Sequence, residues 1–203
     1  MSQLDGNDSY SSQSGATHTI TQELWGVCLF VGAIWIAYFV DQAMPLDRFG
    51  LAPRTLHGLL GIPAMTFLHG DLAHLLSNTV PLIVLLTLLA GSRGQSWKIV
   101  TLIILFGGIM LWVIGREANH QGASLLIFGL ISFLIASGLV FERRPLPVLA
   151  AVVVGVMYGT TLLTGILPRL WSQDGVSWEG HLSGAVAGVF VAYLLTSRRS
   201  TSS

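Results

Sequence analysis

From residue 24 onward, every Asp, Glu, Lys and Arg lies outside six apolar runs, over 24–40, 72–90, 99–114, 123–141, 146–167 and 182–195. A membrane-crossing helix needs about 20 mostly apolar residues. The first four runs are near that length, and the sixth reaches it when 178–196 is counted. Segment 41–71 separates the first two runs and holds three prolines among Leu, Phe and Met. It is too broken to span and reads as a long loop on or partly in the bilayer surface. Residues 1–22 are rich in Ser, Thr, Gln, Asn and Gly, lack Lys and Arg, and show no periodicity. They predict a disordered polar tail, without the basic start of a signal peptide. The pattern thus predicts an all-α membrane protein: tail 1–22, six transmembrane helices within 23–197, and a short tail 198–203.

Composition agrees with the pattern. Of 203 residues, 52% are hydrophobic and only 10% charged, and mean hydropathy is +0.70. A soluble domain of this size carries about 25% charged residues. A disordered chain, a disulfide scaffold and an ordinary cytosolic enzyme are all excluded. Ten Lys and Arg balance ten Asp and Glu, leaving no basic patch for nucleic acid. The single cysteine, Cys28, lies in an apolar run. Asn7-Asp8-Ser9 fits a glycosylation acceptor, a short and weak pattern.

Charge placement adds orientation. Arg93, Lys98, Arg143, Arg144, Arg198 and Arg199 fall in the short gaps on one side. Arg48, Arg54, Arg116 and Arg169 share the other side with most of the acids, in longer loops. Both termini are expected in the cytoplasm, and even-numbered spans then begin at the outer face.

Three polar groups open those even-numbered spans. His69, His74 and Asn78 enter span two, Gly122 and Ser124 open span four, and His181, Gly184 and Gly188 open span six. All three lie on one side of the bilayer at similar depth. Polar groups at membrane depth are costly and usually functional. His74 and Asn78 share a helix face at i, i+4, as do Ser124 and Phe128. His181, Gly184 and Gly188 share another, and the small-xxx-small pair admits a close neighbour helix. A Ser–His hydrogen bond between spans four and six is then within reach.

Each group also has a plain packing reading. A membrane Ser commonly bonds back to its own helix. Gly184 and Gly188 serve close packing in either case. His74 and Asn78 alone suit a structural hydrogen-bond network as well as a functional one. His57 and His69 are expected in a loop or at the interface, and His120 in the short outer loop without a role. No metal site is expected: His69 and His74, five apart, diverge by about 140° if both are helical, and no His-Glu-x-x-His run or cysteine pair exists. No cofactor is expected. A transporter would show repeats and helices broken at the midplane, and neither is visible.

At these residues the chain resembles the rhomboid family of intramembrane serine proteases. His69-x4-His74-x3-Asn78 is similar to the family's first motif, Gly122-Ala123-Ser124 to its nucleophile motif, and His181-x2-Gly184-x3-Gly188 to its last-helix motif. Segment 50–61 is similar to its first outer loop. The resemblance covers roughly 24–195 and departs at one place: Leu125 follows the serine where the family usually has glycine.

The resemblance implies a six-helix bundle of rhomboid type that cuts membrane-spanning proteins within the bilayer with a Ser–His dyad. Ser124 would attack the scissile carbonyl, and His181 would take its proton and pass it to the leaving amine. Phe128 would pack on the His181 ring in place of a third polar group. His74 and Asn78, with the Ser124 N–H, would form the oxyanion hole, and Gly122, Gly184 and Gly188 would support the site. Segment 41–71 and span five would form the lateral entrance for substrate. The alternative is an inactive homologue that binds transmembrane helices, motivated by Leu125. A bacterial plasma membrane suits the chain, with the site open to the outer side.

Overall fold

A computed structural model describes residues 8–93, 95–167 and 177–197, and the side chains of 20–93, 95–167 and 177–196. The tail 198–203, Asn7, Arg169 and Asp174 lie outside the described residues. The described chain is helical, with helices α1 (Asp8–Asp41), α2 (Leu56–Ala64), α3 (Leu72–Ser92), α4 (Ser96–Ile114), α5 (Ser124–Ile135), α6 (Pro145–Gly165) and α7 (Trp178–Ser197). Among the described residues, five segments are long and apolar enough to cross a membrane: Ile20–Asp41, Leu72–Ser92, Ser96–Ile114, Ser124–Glu142 and Pro145–Gly165. A 20-residue helix rises about 30 Å, the thickness of a hydrocarbon core. α7 has 20 residues but starts with Glu179 and His181 among small residues.

α5 is the hub. Of its segment, 72% is buried, against at most 39% for the other four. Every residue from Leu125 to Leu134 is buried. The surrounding helices turn large apolar side chains outward, among them Leu29, Ile36, Val80, Ile109, Val156 and Phe190. An apolar exterior on this scale suits lipid rather than water.

The structure differs from the sequence reading in three places. Helix α1 reaches back to Asp8, into the segment where composition predicts a disordered tail. The fourth apolar run is not uniform: α5 ends at Ile135 and continues as a wider π-helical turn over Ala136–Glu142. That turn is fastened by an Arg93–Glu142 ion pair at 2.5 Å, both side chains nearly buried, with the Arg93 guanidinium 5.2 Å from the Phe133 ring.

The third difference is segment 41–71, which is no loose loop. Thr55 caps α2 by accepting the Gly58 N–H at 2.9 Å. Pro63 lies next to the end of α2, where it has no N–H to give the Leu59 carbonyl, and a tight turn over Met65–Phe67 follows. The segment is pinned to the end of α4. Arg54 donates through its side chain to the Gly115 carbonyl at 2.7 Å and through its backbone to the Trp112 carbonyl at 3.0 Å. The Trp112 indole returns a bond to the Thr55 carbonyl at 2.8 Å. A cation on the last carbonyls of a helix also suits its dipole.

Candidate active site

Two backbone contacts bring α7 onto α5. A Cβ at residue 184 would fall on the Leu125 carbonyl oxygen, and one at 188 on the Gly129 carbonyl oxygen. With hydrogen alone at both places, the helices meet backbone to backbone. Ser132 Oγ adds a bond across the seam, donating to the Ala185 carbonyl at 2.7 Å. Ser124 is the first residue of α5 and His181 lies one turn before Gly184. Both are only half-buried, unlike the residues that flank Ser124, so this end of the seam is open to reagents.

The His181 ring is fixed from two sides. It stacks flat on Phe128, with centroids 4.0 Å apart and planes within 5°. Its Nδ1 lies 3.1 Å from the Gly165 carbonyl, at the end of α6. A carbonyl only accepts, so Nδ1 carries the proton and Nε2 of the neutral ring keeps its lone pair. In this tautomer the basic nitrogen of the ring is Nε2. Sequence reasoning missed Gly165, because a backbone acceptor leaves no side-chain signature.

His74 and Asn78 sit on α3 beside the start of α5. Asp71 caps α3 by accepting the His74 N–H at 2.7 Å. Gly122 has φ +111°, a conformation side chains rarely adopt. A Cβ there would stand 2.6 Å from His74 Cε1 and 3.7 Å from Asn78 Nδ2. Gly122 therefore lets the chain run against the His74 ring and into Ser124. Asn78 Nδ2 donates to the His74 carbonyl at 3.1 Å, so this amide bonds within its own helix.

Leu125 lies 2% exposed, and its Cδ2 would be 2.8 Å from a Cβ at Gly107. Its side chain is seated in the hollow over α4, among Leu51, Ile62, Met65 and Leu111. The bulk that replaces the usual glycine points to α4.

His69 departs most from expectation. It is 1% exposed rather than interfacial. Asp71 starts the helix, so His69 precedes it and its ring swings to within 5.1 Å of His74, edge to face. Its Nε2 accepts the Ala123 N–H at a long 3.4 Å. The signal for this was present: an Asp just before an apolar run is a helix start. Burial, reinforced by the neighbouring His74, holds the His69 imidazole down at about 4, from an ordinary 6.5. The unfolded chain therefore takes up this proton first as pH falls. The stability it supplies is complete above pH 6.5 and declines toward pH 4. The melting temperature of the purified protein should fall across that window, and less steeply in His69→Gln, which keeps an acceptor but does not titrate. Equal slopes would dismiss the assignment.

Residues 57–198 match the family model described as the rhomboid domain. Among similar proteins are uncharacterized ones of Mycobacterium tuberculosis and Mycobacterium bovis, each 41% identical over 180 residues, covering 84% of this chain and 74% of theirs. One of Mycobacterium leprae is 35% identical over 208 residues, covering 97% of this chain and 81% of its own. The matched segment takes in α3, α5 and α7 with all three polar groups. With several apolar helices around them, the chain belongs to the rhomboid family of intramembrane serine proteases and is a multi-pass integral membrane protein.

Proposed function

We propose that this chain is an active endopeptidase that hydrolyses peptide bonds of membrane-spanning proteins with a Ser124–His181 dyad. The observation that supports it is the seating of His181: stacked on Phe128, held at Nδ1 by the Gly165 carbonyl, on a helix whose Gly184 touches the residue after Ser124. Ser124 attacks the carbonyl, and His181 Nε2 takes its proton and delivers it to the leaving amine. The tetrahedral oxyanion is met by the Ser124 N–H, His74 and Asn78, whose amide has a second N–H besides the one on the His74 carbonyl. One such donor is worth about 10²–10³ in rate. No cofactor enters the reaction.

Substrate helices hide their peptide bonds, so they must unwind near the outer face before cleavage. Segment 41–71 and α6 form the lateral way in. α7 acts as a sixth span, with both termini in the cytoplasm and the site toward the outer side. A C-terminal reporter active only in the cytoplasm should be active; a silent one would invert the topology.

The test is labelling of the purified protein with a fluorophosphonate probe alongside cleavage of a model transmembrane substrate, and wild type should do both. The inactive reading rests on Leu125, whose seat against Gly107 speaks against it. A silent wild type that gains labelling in Leu125→Gly would establish that reading instead.

A further inference from the structure

A second His–Ser pair lies one turn outside the first. His120 is four residues before Ser124, and Ser177 four before His181. His120 Nδ1 and Ser177 Oγ are 2.8 Å apart. The directions follow from their other partners. His120 Nε2 lies 3.1 Å from the Arg116 carbonyl and must donate to it, so Nδ1 accepts the Ser177 hydroxyl. Ser177 Oγ in turn accepts the Gly180 N–H at 3.0 Å, capping α7. The Ser177 carbonyl accepts the N–H of His181 itself at 3.1 Å.

The histidine side is equally anchored. His120 is 4% exposed, and its backbone N–H and carbonyl pair with those of Leu51 at 2.9 and 3.0 Å. Two residues on, the Gly122 N–H donates to the Met65 carbonyl at 2.9 Å. The strand of chain leading into Ser124 is thus held by segment 41–71, and the Ser177 bond ties that strand to the cap of α7. The charged groups facing His120 are Arg116, on its own loop, and Glu179, in the first turn of α7, which lie 3.7 Å apart.

We propose that the His120–Ser177 bond is an outer latch that fixes the head of α7 against the chain entering α5, making His120 and Ser177 positioning residues for Ser124 and His181. The inference rests on the protease reading. Neither residue touches the reacting atoms. Their effect runs through the placement of His181 relative to Ser124, where an error of about 1 Å costs up to about 100-fold.

The experiment compares His120→Ala with His120→Asn, whose Oδ1 accepts from the position of Nδ1. Read-outs are the rate of fluorophosphonate labelling at Ser124, kcat and KM on a transmembrane substrate, and melting temperature. His120→Ala should label about 10- to 100-fold more slowly, with kcat reduced and KM unchanged. His120→Asn should recover most of the rate. Labelling at the wild-type rate in His120→Ala overturns the latch, as does an Asn variant no faster than the Ala variant. If His120→Ala does not fold, Ser177→Ala against Ser177→Thr decides on the same grounds, because threonine keeps both the cap and the hydroxyl donor. If wild type itself does not label, the protease reading fails and the latch is judged separately by amide exchange. His120→Ala or, if it does not fold, Ser177→Ala against Ser177→Thr must then speed exchange at the His181 N–H without affecting mid-α6, and unchanged protection refutes it.

Discussion

Ser124→Ala is expected to abolish fluorophosphonate labelling and to lower substrate cleavage by at least about 10³-fold, with His181→Ala close behind. The two losses should be nearly the same size and should not add in the double variant, since nucleophile and base act in one step. Melting temperature separates chemistry from folding. Ser124 is half-buried at the mouth of the seam, and its hydroxyl can be removed without opening a cavity. His181→Ala is less innocent, because it strips a ring from the flat stack on Phe128. It should therefore melt lower than Ser124→Ala while labelling no better. A His181→Asn variant should regain some stability and no activity, as the amide fills part of the space but is no base. Cleavage by Ser124→Ala at the wild-type rate would sink the dyad mechanism outright.

Much of this arrangement can be read from spacing alone. The apolar runs mark the long helices, but apolarity alone does not separate the buried central helix from those that face lipid. Parity of six spans predicts that Ser124, His181, His74 and Asn78 lie at one depth. Spacing fails where side chains leave the helical register. Separating His69 from His74 assumes one continuous helix, whereas the Asp71 cap divides them and their rings meet. Prolines in 41–71 argue correctly against a span, yet they do not forbid a short helix ending at Pro63-Ala64. What holds that segment ends on backbone carbonyls: the Arg54 and Trp112 bonds and the Leu51–His120 pair. Backbone acceptors such as Gly165 carry no residue preference, and so no sequence signal. The π-helical turn after Ile135 is similar, an apolar stretch whose altered winding shows only in three dimensions.

Gly184→Ala is expected to be the most damaging single-methyl change in the bundle. The added Cβ falls on the Leu125 carbonyl oxygen, which belongs to the backbone of the buried central helix and has nowhere to go. Overpacking of this kind costs about 1–3 kcal/mol. The larger effect is on rate. α7 must back away from α5 at the residue next to Ser124, and displacement of His181 by about 1 Å is worth up to about 100-fold. Gly188→Ala meets the Gly129 carbonyl one turn further from the site, so it should destabilise comparably but spare more of the activity. The control is Gly155→Ala or Gly159→Ala in α6, where a new Cβ meets nothing within 4 Å. Alanine is the better helix former by about 1 kcal/mol, so these variants should melt at or above the wild-type temperature and cleave normally. The comparison isolates position from composition, since all four changes add one methyl group to a helical glycine. If Gly184→Ala labels and melts like Gly155→Ala, the backbone contact at Leu125 is not what aligns Ser124 with His181, and α7 takes its register on α5 from other contacts.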